Sequence, residues 1–228
     1  MHEVCIPIRA KNITDLKKQI SKIEPFADLL EVWIDQFEQQ ISPDQLKNIS
    51  RKPFLLVNKP QNEQGKAPAS EQKRIQTLIN FATIKPKYID ISADTSPKSL
   101  HLLKSSLPKT TKLILSYHNF KKTPPLHTLK KVLQKAIKSG ADLTKIVTYA
   151  QKPEDNLVLF ELLAWAKKKK YPMIGHCMGS KGKISRIIAP ILGSKIIFVS
   201  ADTKTSSAPG QITYDHYKNF QSLISDSI

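Results

Sequence analysis

The feature that most constrains this chain is a regular exchange between two residue periods. Short runs rich in β-branched and aliphatic residues, suited to buried strands, fall near residues 3–8, 28–34, 53–58, 87–92, 111–117, 143–148, 172–177 and 195–200. Stripes of helical spacing run between them. Asn12 is placed to cap a helix whose Ile13, Leu16, Ile20 and Ile23 share one side. Ser70 is placed to cap another carrying Ile75, Leu78, Ile79 and Ala82. The clearest stripe, Leu126, Leu129, Val132, Leu133, Ala136 and Ile137, stops at Gly140. Pro153 opens a helix read through Leu157, Phe160 and Ala164, and a last helix begins at Tyr214. Segments near 43–50, 96–106 and 185–191 give shorter helices. Buried parallel strands need helical crossovers to cover them, so this alternation predicts an α/β fold.

Eight strands alternating with about eight helices predict a single-domain (β/α)8 TIM barrel over residues 1–228. A doubly wound open sheet would want a glycine-rich phosphate turn after its first strand, and Ile8-Arg9-Ala10-Lys11 is not one. Neither an internal repeat nor a low-complexity linker divides the chain. Two longer loops, 59–66 and 201–211, leave the C-terminal ends of the third and eighth strands, where barrel active sites are built. Five of the seven glycines (Gly175, Gly179, Gly182, Gly193 and Gly210) fall in the last quarter, which marks the turns around the last two strands for tight backbone approach to a ligand.

Composition narrows the function classes. No run of about 18 apolar residues and no basic-then-apolar leader is present in the sequence, which argues against a membrane or secreted protein. Two cysteines, Cys5 and Cys177, cannot make a disulfide framework, and a reducing, cytoplasmic setting is expected. The formal net charge of +17 suits either nucleic acid or a small anionic substrate. The lysines are scattered, and the dense run at 167–170 sits at a helix C-terminus, where cations complement the helix dipole. No aromatic residues interleave with that run to stack bases. A small anion is therefore favoured over nucleic acid, and an RNA-binding module on an inactive barrel stays as a rival.

The chemistry concentrates where polar residues end apolar strands. In Leu143-Thr144-Lys145-Ile146-Val147, alternation places Lys145 on one face with Leu143 and Val147. Desolvation there is expected to push the amine pKa down, toward the neutral form that attacks carbonyls. The alternative is a lysine with a packed stem and an ammonium paired to a carboxylate or to water. Glu31, Trp33 and Asp35 share a face of the second strand, and Ile114, Ser116 and His118 a face of the fifth. Arg186 follows the seventh. In a barrel these ends meet at one mouth, with a lysine to form an imine, a histidine near pKa 6.5 to move protons, and an arginine to grip a carboxylate. No cluster has the ligand spacing of a metal site, and neither metal nor cofactor is expected.

At these residues the sequence resembles the type I 3-dehydroquinate dehydratases. Glu31-Val32-Trp33-Ile34-Asp35 is similar to the family's E-L-R-x-D strand, and Ser116-Tyr117-His118-Asn119-Phe120 to its S-x-H-D/N-F. Gly140-Ala141-Asp142-Leu143-Thr144-Lys145 resembles G-A-D-x-x-K. The segment from Met178 to Arg186 resembles M-G-x-x-G-x-x-S-R, and Ser207-Ala208-Pro209-Gly210-Gln211 is similar to S-A-P-G-Q. The resemblance implies dehydration of 3-dehydroquinate to 3-dehydroshikimate through a lysine Schiff base, the third step of chorismate and aromatic amino-acid biosynthesis. It implies that Lys145 forms the imine, His118 transfers the proton and Glu63 orients His118. Arg186 would bind the substrate carboxylate, Glu31, Ser207 and Gln211 hold hydroxyls or close the site, and Met178 and Phe198 pack against the ring. Lys59, standing where the family has an arginine, joins the substrate-binding set. Trp33 likewise replaces an arginine, and His176 a methionine. A homodimer and fusion to a shikimate dehydrogenase are both compatible with the resemblance. Another Schiff-base barrel lyase or aldolase is the nearest enzymatic rival.

Overall fold

The computed structural model describes residues 2–202 and 210–224. Eight strands fall within a residue or two of their expected places: β1 (Glu3–Ile8), β2 (Leu29–Trp33), β3 (Phe54–Val57), β4 (Tyr88–Ser92), β5 (Lys112–His118), β6 (Leu143–Tyr149), β7 (Met173–Met178) and β8 (Ile196–Ser200). A ninth, β9 (Ile212–Thr213), is too short to carry a period and is absent from the sequence reading. The helices are α1 (Ile13–Ile23), α2 (Pro43–Leu46), α3 (Glu71–Ala82), α4 (Pro97–Ser106), α5 (Leu126–Lys138), α6 (Asp155–Lys168), α7 (Lys183–Ile188) and α8 (Tyr214–Ile224).

Local chemistry accounts for several of these boundaries. Asn12 Oδ1 accepts the Asp15 N–H at 2.8 Å and opens α1, which buries Leu16, Ile20 and Ile23. Ser70 Oγ accepts the Lys73 N–H at 3.4 Å and opens α3. Helix α6 differs from its reading. It buries Leu159, Leu162, Leu163 and Ala166, while Leu157 is exposed. Its sequence is apolar on nearly every side (Leu157-Val158-Leu159-Phe160), so period alone cannot choose which stripe faces the sheet.

All the strands run parallel, in the order β7-β6-β5-β4-β3-β2-β1-β8-β9. In a flat sheet β2 and β6, four places apart, would be separated by about 19 Å. Yet Lys145 Nζ on β6 lies 3.1 Å from Glu31 Oε1 on β2. The sheet must therefore curl. The same conclusion follows from one apolar cluster that draws residues from every strand of β1 to β8: Cys5, Leu29, Leu55, Tyr88, Ile114, Leu143, Ile174 and Ile196. Their sequence neighbours Ile6, Leu30, Leu56, Ile89, Leu115 and Ile197 face the other way, into the layer packed under the helices. Between β7 and β8 no ladder runs among the described residues. A backbone bond from the Lys195 N–H to the Met173 carbonyl, 2.9 Å, joins them.

Two residues further along the strands, the inward face changes character. Glu31, Asp90, Ser116, Lys145 and His176 replace the aliphatic side chains and are all buried. That change of composition positions the site.

Candidate active site

Lys145 sits one inward position above Leu143 and is 7% exposed. Its ammonium donates to Glu31 Oε1 at 3.1 Å and to Asp90 Oδ2 at 3.3 Å, and stands 4.2 Å from the centre of the Phe198 ring. Burial alone would push its pKa down, the direction read from the sequence. The Glu31 and Asp90 carboxylates outweigh burial and hold the pKa above that of a free lysine. The resting group is an ammonium, which is the sequence alternative of a packed stem with a paired head. The second oxygen of Glu31 accepts the Trp33 indole N–H at 2.8 Å, so this carboxylate is shared between amine and indole.

A second buried lysine stands behind the first. Lys59 Nζ donates to Ser116 Oγ at 2.7 Å, Asp90 Oδ1 at 2.8 Å and Glu63 Oε2 at 3.2 Å. An ammonium has three protons, so all are committed to protein. Asp90 thus bridges the two lysines, and they hold its carboxyl well below the usual range against the effect of its burial. Asp35, which shares a strand face with Glu31 in the sequence reading, lies in a short turn beyond β2. It accepts the backbone N–H groups of Lys59 at 3.1 Å and Lys66 at 2.8 Å, and so anchors the loop after β3. Gly65 closes that loop. A Cβ there would lie 1.8 Å from the Lys59 carbonyl oxygen, and only glycine fits.

The loop delivers Glu63 to His118. Glu63 Oε2 is 3.5 Å from His118 Nδ1, longer than a formed hydrogen bond. Burial would raise the Glu63 pKa, but His118 and Lys59 outweigh it and hold the carboxyl down to about 2. For His118, burial dominates and lowers the pKa below 6.5; Glu63 opposes it, and the two nearby ammonium groups add to it. The imidazole is therefore neutral at pH 7 and able to accept a proton, with a lower pKa than the ordinary value assumed from sequence. Phe120 stacks on it, with ring centres 5.7 Å apart and planes 7° from parallel.

Arg186 comes from α7. Ser185 Oγ accepts the Cys177 N–H at 2.7 Å and donates to the Gly182 carbonyl at 2.7 Å, tying this short helix to the end of β7. Arg186 is 2% exposed, and its Nε and Nη2 have no hydrogen-bond partner. Burial pushes its pKa down to about 10. A buried, unpaired guanidinium is costly to maintain, and an arriving anion would relieve that cost. His176 lies nearby, and burial first, then Arg186, takes its pKa well below that of a free imidazole. Two glycines of the last quarter allow one backbone segment to approach another. Gly179 has φ +85°, and a Cβ on Gly210 would lie 2.3 Å from the Gly179 carbonyl oxygen, so the start of the final segment presses directly on the β7 turn.

A cavity of about 70 Å³ collects these groups. Of the expected residues, Glu31, Glu63, His118, Lys145, Met178, Arg186, Phe198 and Gln211 line it. Lys59 does not; it stands behind the wall. Ser207 lies outside the described residues. Sequence reasoning assigns no role to Asp90, which bridges the two lysines, or to Arg9, which lines the cavity. The one available signal for Asp90 was an acid inside the apolar run Tyr88-Ile89-Asp90-Ile91. Arg9 had none beyond its place directly after β1. On its far side His118 faces an open groove of about 720 Å³. A cavity of about 770 Å³ around His2, Lys195 and Tyr217 holds none of this chemistry.

A curled parallel sheet that brings a buried amine, a neutral imidazole and an unpaired guanidinium together at its C-terminal edge defines a class: α/β proteins equipped for carbonyl chemistry on an anionic molecule. Within that class, the chain belongs to the type I 3-dehydroquinase family, whose sequence model matches residues 4–227. It is 34% identical to a 3-dehydroquinate dehydratase of Pyrococcus abyssi over 204 residues, covering 89% of this chain and 91% of that one. It is 29% identical to a chloroplastic bifunctional 3-dehydroquinate dehydratase/shikimate dehydrogenase of Arabidopsis thaliana, covering 92% of this chain and 35% of the relative. Among solved structures it resembles the type I 3-dehydroquinate dehydratase of Clostridium difficile with covalently modified comenic acid. There the TM-score is 0.84 at 26% identity, over 100% of this chain and 93% of that one. No helix among the described residues is long and apolar enough to cross a membrane.

Proposed function

We propose that this chain removes water from 3-dehydroquinate to give 3-dehydroshikimate, through an imine between Lys145 and the substrate ketone. The observation that carries the reading is the sharing of one cavity by the Lys145 ammonium, the neutral His118 and the unpaired Arg186 guanidinium. Arg186 takes the substrate carboxylate, which pairs a buried guanidinium whose Nε and Nη2 have no protein partner. Lys145 must first lose a proton, and Glu31 and Asp90, within 3.1 and 3.3 Å, are the acceptors at hand. Nζ then bonds to the ketone carbon, the carbonyl oxygen leaves as water, and an iminium results. His118 takes the proton from the adjacent carbon, and the electron pair flows into an enamine. The enamine expels the hydroxyl on the next carbon, which leaves as water with the proton His118 returns. A water then hydrolyses the iminium and frees Lys145. One water enters and two leave, for a net loss of one.

The remaining residues position these groups. Glu63 orients His118, Lys59 fixes Glu63 and Asp90, and Glu31 and Gln211 face the substrate hydroxyls. Met178 and Phe198 pack on the ring, and Ser207 keeps the role its motif implies. The same reading takes the curled sheet as a closed (β/α)8 barrel in a single domain, supported by the interior cluster drawn from eight strands. The free, buried thiols Cys5 and Cys177 suit a cytoplasmic setting, and the bifunctional relative supports compatibility with a fused dehydrogenase.

Incubation with 3-dehydroquinate should produce a conjugated enone absorbing in the ultraviolet. Borohydride added during turnover should leave a mass adduct on Lys145 that Lys145→Ala lacks, along with its activity. Enone without adduct would overturn the imine. Neither enone nor adduct would overturn the assignment.

A further inference from the structure

We propose that Arg9 is a second substrate-binding guanidinium, which meets the substrate carboxylate from the β1 side while Trp33 holds it in place. The proposal rests on reading the site as a dehydratase centre. Arg9 leaves the C-terminal end of β1 and lines the same cavity as Lys145 and Arg186. Its guanidinium carbon lies 4.3 Å from the centre of the Trp33 ring. That ring is itself fixed, because its N–H is bonded to Glu31, whose other oxygen receives Lys145. The plate under Arg9 is therefore part of the reacting machinery. Arg9 Nε is buried without a hydrogen-bond partner, and among the described residues Arg9 makes no ion pair.

The charges of the wall make the stronger argument. Arg9, Lys145 and Arg186 are cationic, Glu31 and Glu63 anionic, and the two imidazoles are held toward neutrality. Behind the wall, Lys59 and Asp90 cancel. One positive charge is left over, and a substrate with a single carboxylate neutralises it. Without Arg9 the empty wall is already balanced, and binding an anion would leave it negative. Stacking on Trp33 also keeps the planar fork in one orientation, which an ammonium on a flexible stem would not reproduce.

Steady-state kinetics on 3-dehydroquinate and on its uncharged methyl ester test this in Arg9→Ala and Arg9→Lys. For Arg9→Ala, KM for the acid should rise about tenfold or more, the loss expected for a charge-assisted contact, while kcat stays within about threefold. The preference for acid over ester, measured as kcat/KM, should shrink by the same factor, and Arg9→Lys should fall between. If Arg9 only braces Trp33, acid and ester lose activity together and the preference is unchanged, which overturns the proposal. An unaltered KM overturns it too. Wild-type protein without turnover on the acid would instead remove the dehydratase reading, and this inference with it. Should Arg9→Ala fail to fold, the acid-over-ester preference of Arg9→Lys decides alone.

Discussion

Along each strand the interior of the sheet is made of two materials stacked one above the other. The lower layer is Leu29, Leu55, Ile114, Leu143, Ile174 and Ile196; two residues on, the upper layer holds Glu31, Asp90, Ser116, Lys145 and His176. The same alternation turns both layers inward, and both are buried. They differ in what burial requires. Each aliphatic side chain below contributes about 1.5–3 kcal/mol by leaving water, with little demand on orientation. Each polar group above loses its hydration and must find a partner at a set distance. Glu31, Lys145, Asp90, Lys59 and Glu63 form one connected set in answer. The lower layer can therefore supply stability without fixing geometry, and the upper layer geometry without supplying much stability. Arg186 and Arg9 are exceptions within the upper region, guanidinium groups with buried nitrogens left unpaired.

Substitutions that cross this division should separate activity from stability. The largest effect is expected for His118→Ala, with turnover down about 10²- to 10⁴-fold, the range of a lost acid–base group. Its thermal midpoint should fall by less than that of Leu29→Ala, since His118 Nδ1 has no formed hydrogen bond to lose and what goes is the stacking on Phe120 and part of the hold on Glu63. Imine formation needs no His118, so borohydride should trap substrate on this variant; absence of an adduct would defeat the division of labour between Lys145 and His118. Next in size, Leu29→Ala should lose about 2–5 kcal/mol of stability through its cavity, by denaturant titration. Its kcat should be unchanged below the unfolding transition. A kcat reduced tenfold in Leu29→Ala would mean that the two layers are mechanically coupled through β2, where Glu31 follows two residues later.

The legibility of the molecule in its sequence follows the same division. Strands and most helices were readable because apolar period is a property of single residues in order. The α1 cap at Asn12 and the α5 stripe carried clear local signals. The inward faces of α6 did not, because Leu157, Leu159 and Leu163 are equally apolar and only the sheet decides among them. In the site, Lys145, His118 and Arg186 were legible from strand-end chemistry and motif. The charge state of Lys145 was not. Its sign depends on Glu31, 114 positions away, and on Asp90, 55 away, which no local pattern weighs. The family resemblance sets Lys59 facing substrate, and its place in the sequence says nothing of the three acceptors that use its protons. Arg9 went unread for the same reason: its meaning comes from Trp33, in the neighbouring strand.

The smallest expected effect concerns acid. The lower layer has no titrating group near neutrality, whereas the upper set is held by carboxylates whose pKa values are depressed. Glu63 titrates near 4.5 when free and at about 2 when folded, so folding favours its ionised form. The stability it contributes is present above pH 4.5 and is lost as the pH falls through 2, below which both forms bind the proton. Asp90 acts in the same direction. Thermal midpoints measured from pH 7 to pH 2 should fall across that window, and Glu63→Gln should lie lower at pH 7 with a shallower slope. The slope should not vanish, because Asp90 still titrates between Lys59 and Lys145. Parallel curves for wild type and variant would mean that Glu63 is no better placed in the folded protein than in the unfolded chain, and its ties to Lys59 and His118 would then carry no weight in holding the loop.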